Sequence, residues 1–100
     1  FITMYGVATE KVPGGKLIRV KVFYNDVITD ISITGDFFLH PEESIENIES
    51  SLFGINIDDG EEKIASIINE VIKENNIELI GVDAQAIARN VKAATSGAIK

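Results

Sequence analysis

His40 is the only histidine in this 100-residue chain and the first candidate for chemistry. It precedes Pro41 at a predicted helix start, where an imidazole could move a proton, bind a metal or contact a partner. The chain has no cysteine, and no serine pattern completes a nucleophilic triad with His40. A lone histidine also lacks the second nitrogen or sulfur ligand that a metal site needs. A capping or interface role is therefore favoured over catalysis.

Two further segments have compositions found at phosphate or cation sites. Pro13-Gly14-Gly15-Lys16 is glycine-rich, but it lacks both the P-loop spacing and the helix that follows a P-loop, so a turn is favoured. Asp58-Asp59-Gly60-Glu61-Glu62 lacks the alternating ligands and the distant glutamate of an EF-hand. Its acids suit the positive end of a helix dipole instead. No catalytic residue and no metal site is predicted.

The segment Gly35-Asp36-Phe37-Phe38-Leu39 is the most informative of the chain. Successive side chains of a strand point to opposite faces, so Phe37 and Phe38 cannot both enter one small core. One ring is expected to be structural and the other free for a partner, and the sequence leaves open which. Asp36 has two compatible interpretations: it binds backbone N–H groups at the strand exit, or it contacts a partner. The predicted partner interface contains Asp36, Phe37, Phe38, His40 and Pro41.

Composition limits the classes of partner and location. The net charge of −7 argues against nucleic acid and anionic membranes, which attract basic proteins. The absence of cysteine is compatible with the cytoplasm, the expected location. No run of apolar residues is long enough for a membrane span, and no signal peptide is visible. The chain is predicted to be one domain over residues 1–100, with Phe1-Ile2-Thr3 interpreted as a cloning remnant before a natural start at Met4.

Alternating patterns predict strands in the first third of the chain. Residues 2–8 form a short first strand, and the turn Pro13-Gly14-Gly15 leads into residues 16–24. There, four side chains share one face, opposite Arg19 and Lys21: Ile18, Val20, Val22 and Tyr24. After a turn at Asn25-Asp26, residues 27–34 alternate again, with Val27, Thr29, Ile31 and Ile33 on one face. The two runs predict an antiparallel hairpin that Gly35 closes.

Helical periodicity dominates the rest. Pro41 is predicted to start a helix with the stripe Ile45, Ile48 and Leu52, ending at Gly54. A second helix begins near Asp58 or Asp59, carries the stripe Ile64, Ile67, Ile68, Val71 and Ile72, and ends at Asn75-Asn76. Residues 77–80 form an extended connector. A third helix, capped by Asp83, turns Ile87, Val91, Ala94 and Ala98 inward. The predicted turn and cap residues are Gly14, Gly15, Gly35, Gly54 and Asp83. The fold class is α+β, with helices on one face of a small antiparallel sheet.

From Lys11 to Gly54 the sequence resembles the C-terminal accessory domain of lipoate–protein ligases. The matching elements are Val12-Pro13-Gly14-Gly15-Lys16-Leu17-Ile18, the strand exit Asp30 to Phe38, and His40-Pro41-Glu42-Glu43 with its helix. The later helices, with Gly81-Val82-Asp83, are also similar to the family. The Gly-Asp-Phe-Phe element is the most specific of these. The family's fold resembles in turn that of iron–sulfur scaffold and sulfur-acceptor proteins (SufE/NifU-like), whose function needs cysteines that this chain lacks.

The resemblance implies a role as the separate small subunit of a two-chain, archaeal-type ligase. Such a subunit is required, with the catalytic subunit, for ATP-dependent activation of lipoate to lipoyl-adenylate before transfer to a lysine of an acceptor protein. The catalytic partner would bind lipoate, ATP and Mg, and this chain would bind no cofactor alone. The family's catalytic motif has no counterpart here. Lipoyl-acceptor domains are a second implied partner. The alternative is a stand-alone protein-binding module with no role in adenylation; a small enzyme with an unrecognised site is disfavoured.

Overall fold

The structure, a computed structural model, describes residues 2–96. Ala98, which was predicted to face inward, lies outside this range. The elements are, in chain order, β1 (Met4–Lys11), β2 (Leu17–Tyr24), β3 (Ile28–Gly35), β4 (Phe38–His40), α1 (Ser44–Ser51), α2 (Glu61–Glu74), β5 (Glu78–Ile80) and α3 (Ala84–Ser96).

Strands β1, β2 and β3 form an antiparallel sheet in that order. The central strand β2 alternates strictly between exposed and buried positions, as predicted, because its helix-facing side chains enter the core. Those four side chains are almost fully buried: Ile18, Val20, Val22 and Tyr24. The sheet therefore has an inner face under the helices and an outer face that no helix of residues 2–96 covers.

Strand β3 departs from the predicted alternation at its start. Phe23 pairs with Asp30 and Tyr24 pairs with Ile28, so Thr29 is an extra residue that forms a β-bulge. The Thr29 hydroxyl donates a hydrogen bond to the Phe23 carbonyl at 3.0 Å. The prediction that Thr29 shares a face with Ile31 and Ile33 is therefore wrong, because the bulge turns Ile28 into the core instead.

Helix α1 begins at Ser44, three residues later than predicted. Pro41 lies in a preceding turn, where its carbonyl accepts a hydrogen bond from the Ser44 N–H at 3.0 Å. The peptide bond between His40 and Pro41 is cis. The Ile45 N–H likewise donates to the Glu42 carbonyl, and the Glu46 N–H donates to the Glu43 carbonyl. Hydrogen bonds to the residue three positions earlier are typical of the tight first turn of a helix. The stripe itself was predicted correctly: Ile48 and Leu52 are fully buried, and Ile45 packs against them.

Helix α2 also begins slightly later than predicted, since Gly60 and not an aspartate occupies its N-cap position. Asp59 instead forms an ion pair with Lys63, with 3.3 Å between Oδ2 and Nζ. The predicted apolar stripe is confirmed, with two members buried and the others packed against the core: Ile64, Ile67, Ile68, Val71 and Ile72. Asn75 and Asn76 end the helix as predicted.

Helix α3 crosses the inner face of β1 and β2 at close range. A Cβ atom on Gly6 would lie 1.7 Å from the Ala94 carbonyl oxygen, so only glycine allows this approach. Ile87, Val91 and Ala94 are buried, as predicted. The backbone N–H of Ala86 donates to Asp83 Oδ1 at 2.8 Å, which is N-cap geometry.

Residues 77–80, predicted as a connector, contain a strand. β5 pairs antiparallel with β4 in a separate two-stranded ribbon, in which Phe38 faces Ile80 and His40 faces Glu78. The α+β class and the placement of helices on one sheet face are confirmed. The SufE/NifU-like resemblance is not confirmed. Among residues 2–96, no helix has both the length and the apolar character needed to cross a bilayer.

Candidate partner interface

The β4–β5 ribbon has one exposed face, which contains the strongest candidate for a partner contact. Phe38 is 63% exposed, and its cross-strand partner Ile80 is 51% exposed. Directly opposed residues of an antiparallel pair project to the same side, so the two side chains form one apolar pair. His40 and Glu78, two residues along, are opposed on the same exposed face. The sequence predicted Phe38 and His40 here but not Ile80 or Glu78.

Phe37 lies on the opposite side of the chain from Phe38. It is half-buried and packs against the core, and its ring lies over Gly35, where a Cβ atom would come within 3.0 Å of the ring carbons. The same Cβ would lie 2.2 Å from the Leu17 carbonyl oxygen. Phe37 is therefore the structural ring, and Phe38 is the ring that remains available to a partner.

Asp36 is fixed by the neighbouring strand. Its Oδ1 accepts a hydrogen bond from the Leu17 N–H at 2.7 Å, and its own N–H donates to the Leu17 carbonyl at 3.2 Å. This arrangement agrees with the structural interpretation of Asp36, in which the side chain shapes the strand exit. The residue is also exposed, so a partner could still reach its second carboxylate oxygen.

The remaining predicted interface residue, Pro41, is half-buried beside this surface. An apolar cleft of about 300 Å³ lies between the ribbon, the end of β3 and the start of α1. Its lining includes Phe37, Phe38 and Leu39 from the ribbon segment and Ile45 from α1. A cleft of this size is at the lower end of the range for small-molecule pockets and is open to one side. It suits a protruding side chain of a protein partner.

The predicted turn glycines occupy backbone positions that disfavour other residues, through positive φ or through a close contact. Gly14 and Gly54 have φ of +70° and +81°, in the left-handed region that favours glycine. At Gly15 a Cβ atom would lie 2.3 Å from the Gly81 carbonyl oxygen, to which the Lys16 N–H donates at 3.0 Å. The glycine segment is thus bound to the β5–α3 connection and leads into a strand, as expected for a turn.

Two carboxylates have shifted pKa values. Hydrogen bonds from Arg89 and, to a smaller extent, from Asn90 lower the pKa of Glu10. These hydrogen bonds join β1 to α3. Burial raises the pKa of Glu49, and the hydrogen bond that it accepts from the Ile33 N–H at 2.8 Å opposes that shift. Both contacts join neighbouring elements of the fold. Among residues 2–96, no three His, Asp or Glu side chains are arranged to hold a metal ion.

The outer face of the three-stranded sheet is a second uncovered surface that the sequence analysis did not identify. It is centred on Tyr5, Val7 and Phe23, which are about half exposed, with Arg19 and Lys21 beside them. The rings of Tyr5 and Phe23 pack at 4.8 Å between centroids. These five residues define what we call the outer sheet face. The alternation of Tyr5 and Val7 in β1, set against Phe23 in the hairpin, was the available sequence evidence.

Comparison with known proteins places the chain among ligase components. No family model matches the sequence, and no curated protein matches it. A solved structure is similar, with a TM-score of 0.67 and 31% sequence identity over 90% of this chain and 94% of that chain. It belongs to an archaeal lipoylation system from Thermoplasma acidophilum, a bi-partite lipoate protein ligase and its E2 lipoyl domain.

The fold defines a small α+β domain with an exposed ribbon and an uncovered sheet face. At this identity and coverage, the chain belongs to the family of lipoate–protein ligase accessory domains.

Proposed function

We propose that this chain is the accessory subunit of a two-chain lipoate–protein ligase and that the exposed ribbon face binds the catalytic subunit. Together the two chains would convert lipoate and ATP to lipoyl-adenylate, and the catalytic subunit would then transfer lipoate to a lysine of an acceptor protein. The observation that carries the proposal is the exposed pair Phe38–Ile80, in a chain that belongs to the accessory-domain family.

The ribbon has the properties of an interface centre. A few anchor side chains, often aromatic, contribute most of the binding energy at the centre of a protein interface, provided that surrounding groups exclude water. Phe38 and Ile80 supply the apolar centre, while Asp36, His40 and Glu78 supply polar neighbours. The ribbon is also held in place beneath this surface, because Phe37, Leu39 and Leu79 pack against the core. A preformed apolar surface loses little conformational entropy on binding.

Within residues 2–96, no His, Asp and Glu side chains are grouped to hold a metal ion. In this proposal the catalytic subunit binds lipoate, ATP and Mg. An accessory chain can still be essential, because adenylation needs water excluded and flexible loops ordered around the reacting groups. Binding of the ribbon to the catalytic subunit would stabilise its closed, reactive conformation. In this account, the accessory chain acts on the catalytic subunit and leaves the reacting atoms to it.

Lipoate-dependent ATP–pyrophosphate exchange tests this function. The catalytic subunit should exchange label slowly alone and rapidly when this chain is added in equimolar amount. Equal rates with and without the chain would refute the role in adenylation. If the two proteins then still bind, the stand-alone protein-binding module becomes the better description.

A further inference from the structure

The apolar pair of the ribbon is a small contact for a subunit that must stay bound. Phe38 and Ile80 are each only partly exposed. A whole aromatic side chain buries about 150–250 Å², whereas a standard-sized interface buries about 800 Å² on each partner. The pair therefore supplies a minor part of the area that a lasting complex needs, and the rest must come from surface next to the ribbon.

The outer sheet face reaches the ribbon at the start of β2. Leu17 lies on the exposed side of β2, and it shares two hydrogen bonds with Asp36. Phe37 packs against the core, and its neighbours Asp36 and Phe38 are exposed. Two residues of chain, or about 7 Å when extended, separate Asp36 from Phe38. One strand of the ribbon is therefore attached directly to the outer face of the sheet.

The second strand of the ribbon is attached at the same place. Gly81 follows Ile80 at the end of β5, and its carbonyl accepts a hydrogen bond from the Lys16 N–H at 3.0 Å. Lys16 immediately precedes Leu17, so both ribbon strands are bonded to the residues that begin β2. We call the outer sheet face, Leu17, Asp36 and the exposed ribbon face together the combined surface.

The combined surface has apolar groups at both ends and cations between them. At the end far from the ribbon, the rings of Tyr5 and Phe23 pack together beside an apolar cleft of about 480 Å³. Three basic side chains lie between that end and the ribbon: Lys11, Arg19 and Lys21. Neither Arg19 nor Lys21 forms an ion pair with any residue from 2 to 96. Apolar area edged by charges is typical of a protein-binding surface.

The length of the combined surface fits an interface of standard size. Six residues of β2 separate Phe23 from Leu17, or about 20 Å of strand. A patch of about 800 Å² is roughly 30 Å across. The step from Leu17 to Phe38 supplies most of the remaining length, so the sheet face and the ribbon together offer what the ribbon alone lacks.

We propose that the catalytic subunit covers the whole combined surface, with Phe38 as one apolar anchor and Phe23 as the other. This inference rests on the proposed function and extends its interface from the ribbon to the outer sheet face. The cations define the chemistry that the subunit needs over the middle of the patch. Removing water from Arg19 and Lys21 costs free energy unless acceptors replace it, so the covering surface carries carboxylates there.

Other occupants explain less. A separate acceptor protein on the outer sheet face would leave the catalytic subunit with the ribbon alone, whose apolar area is small. Pairing of two copies through this face would bring Arg19 and Lys21 of both chains together, which opposes association. One large partner accounts for both apolar ends with a single interface.

Isothermal titration calorimetry with the purified catalytic subunit of the same organism measures the contribution of each end. Phe23→Ala should raise the Kd at least about tenfold at low and at high salt, because an apolar anchor is lost. Lys21→Glu should raise it about tenfold at low salt, and salt should shrink the difference because it screens the charge. When Phe23→Ala and Phe38→Ala are combined, the two fold-losses should multiply to within about twofold, because side chains this far apart contact the partner independently.

Phe53→Ala and Lys73→Glu are the matched controls. Phe53 is about as exposed as Phe23 and follows α1, and Lys73 is an exposed cation of α2. Both variants should leave the Kd within about twofold of wild type. Lysine acetylation read by mass spectrometry adds a test without mutation: Lys11 and Lys21 should react more slowly in the complex, and Lys73 at the rate of the free chain.

A wild-type Kd in both Phe23→Ala and Lys21→Glu, with thermal unfolding showing both variants folded, overturns the inference and leaves the ribbon as the interface. Unchanged acetylation of Lys21 in the wild-type complex overturns it as well. So does loss of acceptor-domain binding, or of a homodimer, in these variants at an unchanged Kd for the catalytic subunit. Pyrophosphate exchange that is independent of this chain, with Phe23-dependent binding to the catalytic subunit retained, refutes the role in adenylation alone.

Discussion

Leu17 and Asp36 hydrogen-bond to each other twice: the Leu17 N–H donates to Asp36 Oδ1 at 2.7 Å, and the Asp36 N–H donates to the Leu17 carbonyl at 3.2 Å. The pair joins the start of β2 to the exit of β3, immediately before the ribbon. Asp36 therefore fixes the position from which Phe38 projects. The two interpretations of this aspartate make different predictions about its variants.

Asp36→Asn keeps a side-chain oxygen that can accept from the Leu17 N–H, whereas Asp36→Ala removes it. We expect Asp36→Ala to lower the free energy of unfolding by about 1 kcal/mol, and Asp36→Asn by less, in urea denaturation. Binding to the catalytic subunit should follow the same order if the role is structural. Equal loss of binding in both variants, with Asp36→Asn fully stable, would show instead that the partner needs the charge.

Phe38→Ala should weaken assembly with the catalytic subunit by about 2 kcal/mol, or roughly 30-fold in Kd, and should lower pyrophosphate exchange at limiting accessory chain. The unfolding free energy should hardly change, because the ring is largely exposed in the isolated chain. Phe53→Ala is the matched control, since Phe53 is similarly exposed and does not line the ribbon cleft. Isothermal titration calorimetry gives the affinities. A wild-type Kd in Phe38→Ala would exclude the ribbon as the interface centre.

Ile80 offers a second test of the same surface. Because Ile80 faces Phe38 directly, the effects of Ile80→Ala and Phe38→Ala on binding should be non-additive in a double-mutant cycle. Additive losses would mean that the two side chains contact the partner independently, and no loss in Ile80→Ala would limit the interface to the Phe38 strand.

Most of the fold could be predicted because its periodicities are long. Eight alternating residues defined β2, and a five-member stripe defined α2. The ribbon was missed because β4 and β5 have three residues each, too few for a pattern, and their pairing joins positions about forty residues apart. That omission hid Ile80, whose exposure follows from its register with Phe38. The bulge at Thr29 and the late start of α1 depend on local hydrogen bonds that side-chain patterns do not encode.

The Glu10–Arg89 pair should make the free energy of unfolding depend on pH in the acid range. Arg89 and Asn90 lower the pKa of Glu10 in the folded chain, so the ionised form is favoured by folding. This contribution is complete above the unfolded pKa of about 4.3 and is lost as the pH falls through the lower folded value. Glu10→Gln should therefore be less stable than wild type by about 0.5–1 kcal/mol at pH 7, because the pair is partly exposed. The difference should shrink towards pH 3 in urea denaturation; a difference that stays constant from pH 7 to pH 3 would contradict the ion-pair account.

The contribution of Glu49 to stability should depend on pH in the opposite direction from that of Glu10. Burial raises its pKa in the folded chain, so folding favours the protonated form, and the cost appears as the pH rises through the unfolded and then the folded pKa. Glu49→Gln keeps an oxygen that can accept from the Ile33 N–H and removes the partly buried charge. It should match or exceed wild-type stability at pH 7 by a few tenths of a kcal/mol, with the gain lost below about pH 4. Glu70→Gln, an exposed change on α2, is the control for net charge, because the nearer Glu46 itself contributes to the raised pKa of Glu49. Glu49→Ala should be destabilised because the Ile33 N–H loses its acceptor. A loss of stability in Glu49→Gln at pH 7 would mean that the charged hydrogen bond outweighs the cost of burial. In that case α1 would be held against the edge of β3 by the ionised form.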